Sequence, residues 1–596
     1  MQYSLFNNII YVYKESFKKY PRIKWFLSLN FITELLVPFF TVVITTLLVY
    51  SLTHNVDVET YILVICGLIL AAYILEAVRF WSFTRYNSEN TFTRASTFWI
   101  KIAEHQLKTD YMNVEAKDRR TIISKAFAAI SSNFYGIEMM LKQVPLLVIN
   151  FVGMIIYACL IAVYVPLVLW ILLAMSIVNF FLTKRANKYM LKKNDSMRDE
   201  FIEKYYLSKD STNPNYGKDI RIYNIGKWFD ELFVRLTKNR KNIIKGIEGK
   251  FLFANLSNTI FLFIRDIAGY LILLNLVVNG SIDLTTFTFL IGIVTGFSMW
   301  LNGFTLSLNE LRGTNIRVND FRKCLTHDNQ YDKESEIKSS DLTKPITIEF
   351  KDVTFSYPGA ETPTIKDLSF KIDAGEKVAL VGSNGAGKTT IIKLIVGLYQ
   401  PDSGSILVNG VDTSKYNIDD YMRLFSVVFQ DSEPLSLTIE NNISCSDTDI
   451  DSKKLQEAIF KAGLKEKIDS LENKEKSYIT QTFDKSGIRL SGGENQKLML
   501  ARSLYKDAPI LILDEPTAAL DPIAEEEMYL KYKDLVKDST SIFISHRLSS
   551  TKFCDRIIYL DSGKIVEEGT HQELIKLSKL YKSVYDTQAQ YYKESV

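Results

Sequence analysis

The sequence predicts an α-helical membrane domain of six spans joined to an α/β domain built around a phosphate-binding loop. Three observations predict it. Six stretches apolar enough to cross a bilayer precede residue 310. From Ile346 the pattern changes to short β-like runs, such as Ile346-Thr347-Ile348-Glu349-Phe350, alternating with helical stretches. Within that second part a glycine-rich loop joins a buried-strand run, Val378 to Val381, to a helical pattern beginning at Ile391.

The six stretches are Trp25 to Leu52, Tyr61 to Trp81, Val144 to Ala162, Pro166 to Leu182, Phe251 to Val278 and Thr286 to Leu308. A span needs about 20 mostly apolar residues to cross roughly 30 Å of hydrocarbon. The connections after the first, third and fifth are short and carry no Lys or Arg, whereas the two between them are long and contain Arg85, Arg94, Lys108, Arg119, Arg120, Lys184, Arg185, Lys192 and Lys193. By the positive-inside tendency, both termini and the long connections are expected on the cytoplasmic side. Met1 to Lys24 interleaves aromatics with Lys14, Lys18, Lys19, Arg22 and Lys24 and has no cleavage site after an apolar core, so it reads as an amphipathic helix lying on the inner face of the bilayer. The missing targeting features and scattered cysteines point to a bacterial cytoplasmic membrane.

The long connections keep apolar residues at helical spacing, with few glycines or prolines. A 25-residue helical extension reaches on the order of 40 Å beyond the bilayer. They are therefore read as arms, with tips near Thr109 to Asn113 and Gly217 to Asn224. The expected divisions are an interfacial helix over 1–24, the membrane domain over 25–325, a polar linker over 326–345, and the second domain over 346–596.

Composition sets outer bounds. The 596 residues exceed one core at roughly 150 residues per domain. A mean hydropathy of +0.02 averages a greasy part and an ordinary soluble part. Net charge is only +3 and no Lys/Arg block stands out, which argues against nucleic acid as a partner. Cys66, Cys159, Cys324, Cys445 and Cys554 lie far apart with no CxxC spacing, so neither a zinc cluster nor a disulfide framework is expected.

The chemistry begins at Gly382-Ser383-Asn384-Gly385-Ala386-Gly387-Lys388-Thr389-Thr390, which fits GxxxxGK[ST] in the strand-loop-helix setting that motif requires. The glycines let backbone N–H groups turn toward phosphates, the helix start adds its positive end, Lys388 reaches the β and γ phosphates, and Thr389 offers a Mg²⁺ ligand. Farther on, the apolar strand Ile510 to Leu513 ends in Asp514 and Glu515. Asp514 is placed for the metal shell and Glu515 for the attacking water. Together the two motifs define a P-loop NTPase.

Leu490-Ser491-Gly492-Gly493-Glu494, then Gln496, Ala501 and Arg502, precede the Asp514 strand. This run resembles the signature of ABC-type ATPases, and the whole chain resembles ABC transporters of the fused exporter type. Further matches follow in family order: Tyr357 in the adenine-stacking loop, Gln430 in the Q-loop, Ala519-Leu520-Asp521 in the D-loop and His546 as switch histidine. The resemblance implies an ATPase domain with an added antiparallel β subdomain and a helical subdomain. It also implies a dimer with a second half-transporter, identical or paralogous, in which Ser491, Gly492 and Gly493 face the ATP of the opposite subunit. Gln430 would join Thr389 and Asp514 around the metal, and Glu515 and His546 would be catalytic. Tyr357 offers a π face to a base, an ordinary sheet aromatic being the alternative.

Two departures stand out. Glu494 occupies the place of the family's usual Gln, and Thr482 to Arg489 lacks the TxVGExG stretch of many exporters.

Glu34, Glu76, Arg79, Arg265 and Asp266 fall inside the spans, roughly 20 to 30 Å from their outer ends on a straight-helix estimate. Ionisable groups there are costly and are candidates for the transport path, with interhelical ion pairs or groups snorkelling to the inner headgroups as the alternative. The expected activity is ATP hydrolysis coupled to export of a peptide, lipid or amphipathic small molecule. An importer on the exporter fold and a regulatory ATP-binding protein that does not pump are the competing readings.

Overall fold

A computed structural model describes residues 3–54, 57–326, 346–516, 539–545 and 548–593. Two compact units emerge: one from residues 1–108 and 120–327, the other from 109–119 and 328–596. The linker expected over 326–345 lies, apart from Thr326, outside the described residues.

The first unit is helical. Leu5–Lys19 (α1) starts at Ser4, whose hydroxyl accepts from the Asn7 N–H, and buries Asn8, Val12 and Ser16. Then come Ile23–Thr53 (α2), Val58–Thr93 (α3), Trp99–Lys108 (α4), Tyr111–Glu115 (α5), Lys117–Ala128 (α6) and Gly136–Tyr164 (α7). Pro166–Thr212 (α8), Gly217–Ile222 (α9), Ile225–Val278 (α10) and Leu284–Leu325 (α11) complete the helical series. Every expected span falls inside one unbroken helix, the structure that satisfies a segment's backbone donors from within that same segment in hydrocarbon. Among the described residues five helical segments are long and apolar enough to cross a membrane. The remaining expected span, Pro166 to Leu182, opens α8.

Close approach of α7 and α11 depends on a small residue. A side chain at Gly153 would place its Cβ 2.5 Å from the Trp300 ring, so only glycine lets the two helices meet there. Leu290, Ile293, Phe297 and Tyr157 fill the surrounding core.

Two clusters of charged side chains in this unit are paired. Arg79 bridges Glu34 on α2 (3.2 Å) and Glu76 on its own helix (Nε to Oε2, 2.8 Å), which joins three of the five intramembrane candidates. Asp266 is half-buried, and the side chain of Arg265 lies outside the described set. A second cluster has no local signature in the sequence. Glu138 is fully buried and bonds Arg94 (2.7 Å), Lys142 (2.8 Å) and the Thr91 hydroxyl (3.0 Å). Arg94 opens a π-helical turn, Arg94–Phe98, that interrupts the helix beyond α3.

The second unit holds two sheets. An antiparallel sheet has the order β2-β1-β4-β5, from Ile348–Phe355 (β1), Ile365–Ile372 (β2), Ser403–Val408 (β4) and Val411–Asp412 (β5). The main sheet runs β10-β9-β3-β8-β7-β6, from Lys377–Gly382 (β3), Phe425–Val428 (β6), Ile510–Asp514 (β7), Thr540–Ile544 (β8), Arg556–Asp561 (β9) and Lys564–Gly569 (β10). It is parallel except at β10.

Strand periodicity divides the core. Val378, Leu380, Ile510, Ile512, Ile542 and Ile544 point to the face shared with the antiparallel sheet, whereas Ala379, Val381, Leu511, Leu513 and Phe543 point to the face covered by helices. Both faces being covered, β7 and β8 are buried along their whole length. Lys388–Ile395 (α12) and Ile418–Tyr421 (α13) pack on the face shared with the antiparallel sheet, and Ile439–Ser444 (α14), Ser452–Lys461 (α15), Lys465–Asp469 (α16) and Gly492–Lys506 (α17) cover the other.

Candidate functional site

The C-terminal ends of β3 and β7, neighbours of β8, bring the two sequence motifs together. Gly382, at the end of β3, has φ +148°, and a Cβ there would sit 2.1 Å from the Leu560 carbonyl. Gly387, with φ +101°, caps α12 against the Ile365 side chain. Ser383, Asn384 and Gly385 are exposed along the loop between them, while Ala386 is buried beneath. Lys388 lies across this loop and donates from Nζ to the carbonyls of Gly382 and Ser383, each at 2.9 Å. Burial pushes its pKa down, opposed by the carboxylates of Glu515 and Asp514. A half-desolvated ammonium held by two carbonyls is poised to exchange them for an anion.

Thr389 is the next residue, and its hydroxyl donates to Asp514 Oδ2 at 3.1 Å. Asp514 is almost fully buried, and its other oxygen, Oδ1, has no hydrogen-bond partner among the described residues. Burial raises its pKa to about 6, together with the nearby charge of Glu515 and against the Thr389 hydroxyl and the Lys388 charge. A buried carboxylate oxygen without a partner beside a threonine hydroxyl is the donor set a hard divalent cation takes, so these residues fit Mg²⁺.

Glu515 sits one residue beyond, at φ +50°, a left-handed conformation unusual for a side chain of this size. Its N–H donates to the Ile544 carbonyl at 3.0 Å, which fixes this turn to β8. The Gln430 amide donates to Glu515 Oε2 at 2.8 Å. Burial raises the Glu515 pKa, and Lys388 opposes the shift. One local cluster therefore contains Lys388, Thr389, Gln430, Asp514 and Glu515. His546 and the Ala519-Leu520-Asp521 run lie outside the described residues.

Tyr357 is half-buried near the start of α12. Its hydroxyl is 3.1 Å from that of Thr390, and its ring packs edge-on against Phe355 and Tyr399. Lys393 lies 5.5 Å from the Tyr357 ring and 5.7 Å from that of Tyr111. Tyr111 belongs to α5, at the expected arm tip, and this stretch packs within the second unit. Glu115 of α5 pairs with Lys393 at 3.7 Å and accepts a hydrogen bond from the Tyr399 hydroxyl. The expected base platform and the arm tip thus share one aromatic and cationic cluster. Tyr399, Lys393 and Glu115 carry no motif, and sequence reading passes over them.

Ser491 is the N-cap of α17, and Gly492 and Gly493 form its first turn. The Ser491 hydroxyl accepts from the Glu494 N–H (3.2 Å), and Glu494 Oε2 accepts from the Ser491 N–H (2.7 Å), which closes a capping box. Glu494 also pairs with Lys467 of α16 at 3.1 Å. Partial burial pushes the Glu494 pKa up, but the Ser491 N–H, the Lys467 ammonium and the Ser491 hydroxyl outweigh it and hold the group below its usual value. Lys467 was not legible as a functional residue, since 27 positions separate it from its partner. The atypical stretch before the signature folds as a tight loop: Thr480 donates to the Ile488 carbonyl at 2.7 Å, and Ile488 to that of Tyr478 at 2.9 Å.

Residues 365–518 match the family model described as ABC transporter. The chain is 39% identical, over 42% of its length and 42% of theirs, to the subtilin transport ATP-binding protein SpaT of Bacillus subtilis. It is 40% identical to the ATP-dependent lipid A-core flippase of Burkholderia orbicola, over 41% of this chain and 40% of that protein, and 37% identical to the Escherichia coli protein of the same name, over 40% and 41%. The matched stretch thus spans about two fifths of each curated relative. A solved bacterial Atm1-family ABC exporter with ATP bound superposes over 96% of this chain and 98% of its own, with a TM-score of 0.80 and 19% identity, which establishes a shared fold.

Proposed function

We propose, for a multi-pass membrane chain that carries an ATP-binding ABC transporter domain behind helices of the ABC-exporter fold, that it hydrolyses ATP to drive export across the cytoplasmic membrane as one half of a dimer. The observation that carries this reading is the convergence of Thr389, Asp514, Glu515 and Gln430 through two hydrogen bonds at the ends of neighbouring strands. Lys388 exchanges the carbonyls of Gly382 and Ser383 for phosphate oxygens, and the loop N–H groups cradle them. Thr389, Asp514 and Gln430 would hold Mg²⁺, which would supply positive charge against the charge that develops on the phosphate oxygens. Glu515, aimed by its fixed turn and by Gln430, orients the attacking water and accepts its proton. His546 donates toward the γ-phosphate, and Tyr357 stacks on the base.

Ser491, Gly492 and Gly493 complete the site of the opposite subunit, a second copy or a paralogue. A dimer also gives the tip around α9 a partner, since Ile222, Tyr223 and Trp228 there are 74%, 73% and 60% exposed. The ATP-binding domain and both termini face the cytoplasm, in keeping with the basic long connections. Export is favoured by the exporter fold, and the cargo is a peptide, lipid or amphipathic small molecule; the relatives' names mention subtilin and lipid A-core. The intramembrane groups Glu34, Glu76, Arg79, Arg265 and Asp266 line or gate its path.

Glu515→Gln tests the chemistry. ATP hydrolysis is expected to fall by about 10²-fold or more while ATP binding persists and a nucleotide-bound dimer accumulates. A normal hydrolysis rate in this variant removes Glu515 from the role given to it. Uptake into inside-out vesicles then distinguishes export from import.

A further inference from the structure

A groove of about 490 Å³ runs between α1, α2 and α7 in the membrane unit. Its walls are Ile9, Tyr13 and Phe17 from one face of α1, Leu27 and Phe31 from α2, and Val148 from α7. The three α1 residues recur every four positions, so they form a continuous apolar strip about 12 Å long. Tyr13 presents its ring and not its hydroxyl, because that hydroxyl donates to the Leu141 carbonyl at 3.0 Å. The groove is nearly without polar atoms and opens outward, and it lies beside the first membrane span.

One end of the groove is strongly basic. Lys18, Lys19, Arg22 and Lys24 are all exposed, and the Lys24 ammonium stands 5.2 Å from the centre of the Phe17 ring that closes the groove there. The first 33 residues contain one carboxylate, Glu15, and it is paired with Lys101 at 2.5 Å. Nothing acidic among these residues therefore neutralises the four cations. An apolar slot ending at unneutralised ammonium groups at interfacial depth matches one lipid chemistry: an acyl chain attached to an anionic headgroup.

We propose that this groove is a binding site for an anionic phospholipid. One acyl chain lies along Phe17, Tyr13 and Ile9, and the phosphate headgroup sits against Lys24 and Lys18. The proposal rests on the membrane placement of α1 and α2 and is independent of the ATPase chemistry or of the direction of transport. Such a lipid would tie α1 to α2 and α7, fixing the interfacial helix to the bundle.

The test is native mass spectrometry of the full-length protein after equilibration with equal amounts of phosphatidylglycerol and phosphatidylcholine. Wild type is expected to retain phosphatidylglycerol at least threefold over phosphatidylcholine. The exposed double variant Lys18→Gln/Lys24→Gln should lose that preference, and Ser28→Trp, which fills the groove wall, should lose retained lipid of both kinds. Equal retention of the two lipids by wild type, or an undiminished preference in Lys18→Gln/Lys24→Gln, overturns the proposal by showing annular lipid only. Retained binding of an ATP analogue reports that each variant is folded, and failure of the Glu515→Gln test leaves this result unaffected.

Discussion

Glu494 places a carboxylate at the start of α17, where the proposed mechanism brings the phosphates of the opposite subunit's ATP. An uncompensated negative charge there opposes the anion that the helix N-terminus attracts. Lys467 compensates it, and the capping box turns the carboxylate back onto the Ser491 N–H. The extra carboxylate that Glu494 brings, where the signature it resembles has Gln, is thus balanced by a partner on α16. The pair is partly exposed, 37% at Lys467 and 26% at Glu494, so its coupling is that of a surface ion pair, about 0.5–1 kcal/mol, or a two- to fivefold effect. Lys467→Met is expected to raise KM for ATP by about that factor with little change in kcat. In a Glu494→Gln background the same substitution should have almost no effect, because no charge is left to balance. Equal effects of Lys467→Met in the two backgrounds would show that Lys467 acts without Glu494.

Among the elements, helices α2, α3 and α10 carry the charges whose purpose is hardest to read from sequence. The order of their residues placed Glu34, Glu76, Arg79, Arg265 and Asp266 at one depth, but depth does not say which groups meet. Arg79 ties α2 to α3 through Glu34, with side chains 34% and 20% exposed, while Glu138 is itself fully buried and its carboxylate is satisfied from several sides. A pair left partly exposed is easier to open than one built on a fully buried carboxylate, and that favours a gating role for the former. Arg265→Ala and Asp266→Ala are each expected to lower transport and transport-stimulated hydrolysis severalfold while ATP binding persists. Wild-type transport in both would leave the charged layer a packing device. Local hydropathy gave away the spans that carry these groups. Pairings across the chain, such as Glu115 with Lys393 and Glu138 with Arg94, had no periodic or motif signal and emerged only from the fold.

At the scale of the molecule, the phosphate loop, the Asp514-Glu515 turn and the signature were each readable as motifs. Their spacing alone did not reveal that Thr389 meets Asp514, or that Gln430 meets Glu515. What a single chain leaves open is the composition of the complete site. If each ATP is held by Lys388 of one subunit and Ser491 of its mate, the two defects Lys388→Ala and Ser491→Arg fall on different parts of the same composite site. Each variant alone forms dimers with two damaged sites. A mixed dimer places both defects in one site and leaves the other intact, with Lys388 from the Ser491→Arg chain and Ser491 from the Lys388→Ala chain. Random reassociation of equal amounts makes about half the dimers mixed, each with one working site, so retention of a slowly hydrolysed ATP analogue should recover to about a quarter of the wild-type level. A site contained within one protomer allows no such rescue, since every Lys388→Ala chain and every Ser491→Arg chain would then carry its own lesion whatever it paired with. Absence of recovery, with mixed dimers demonstrated by mass, would therefore refute the shared site while leaving the fold and the phosphate loop as described.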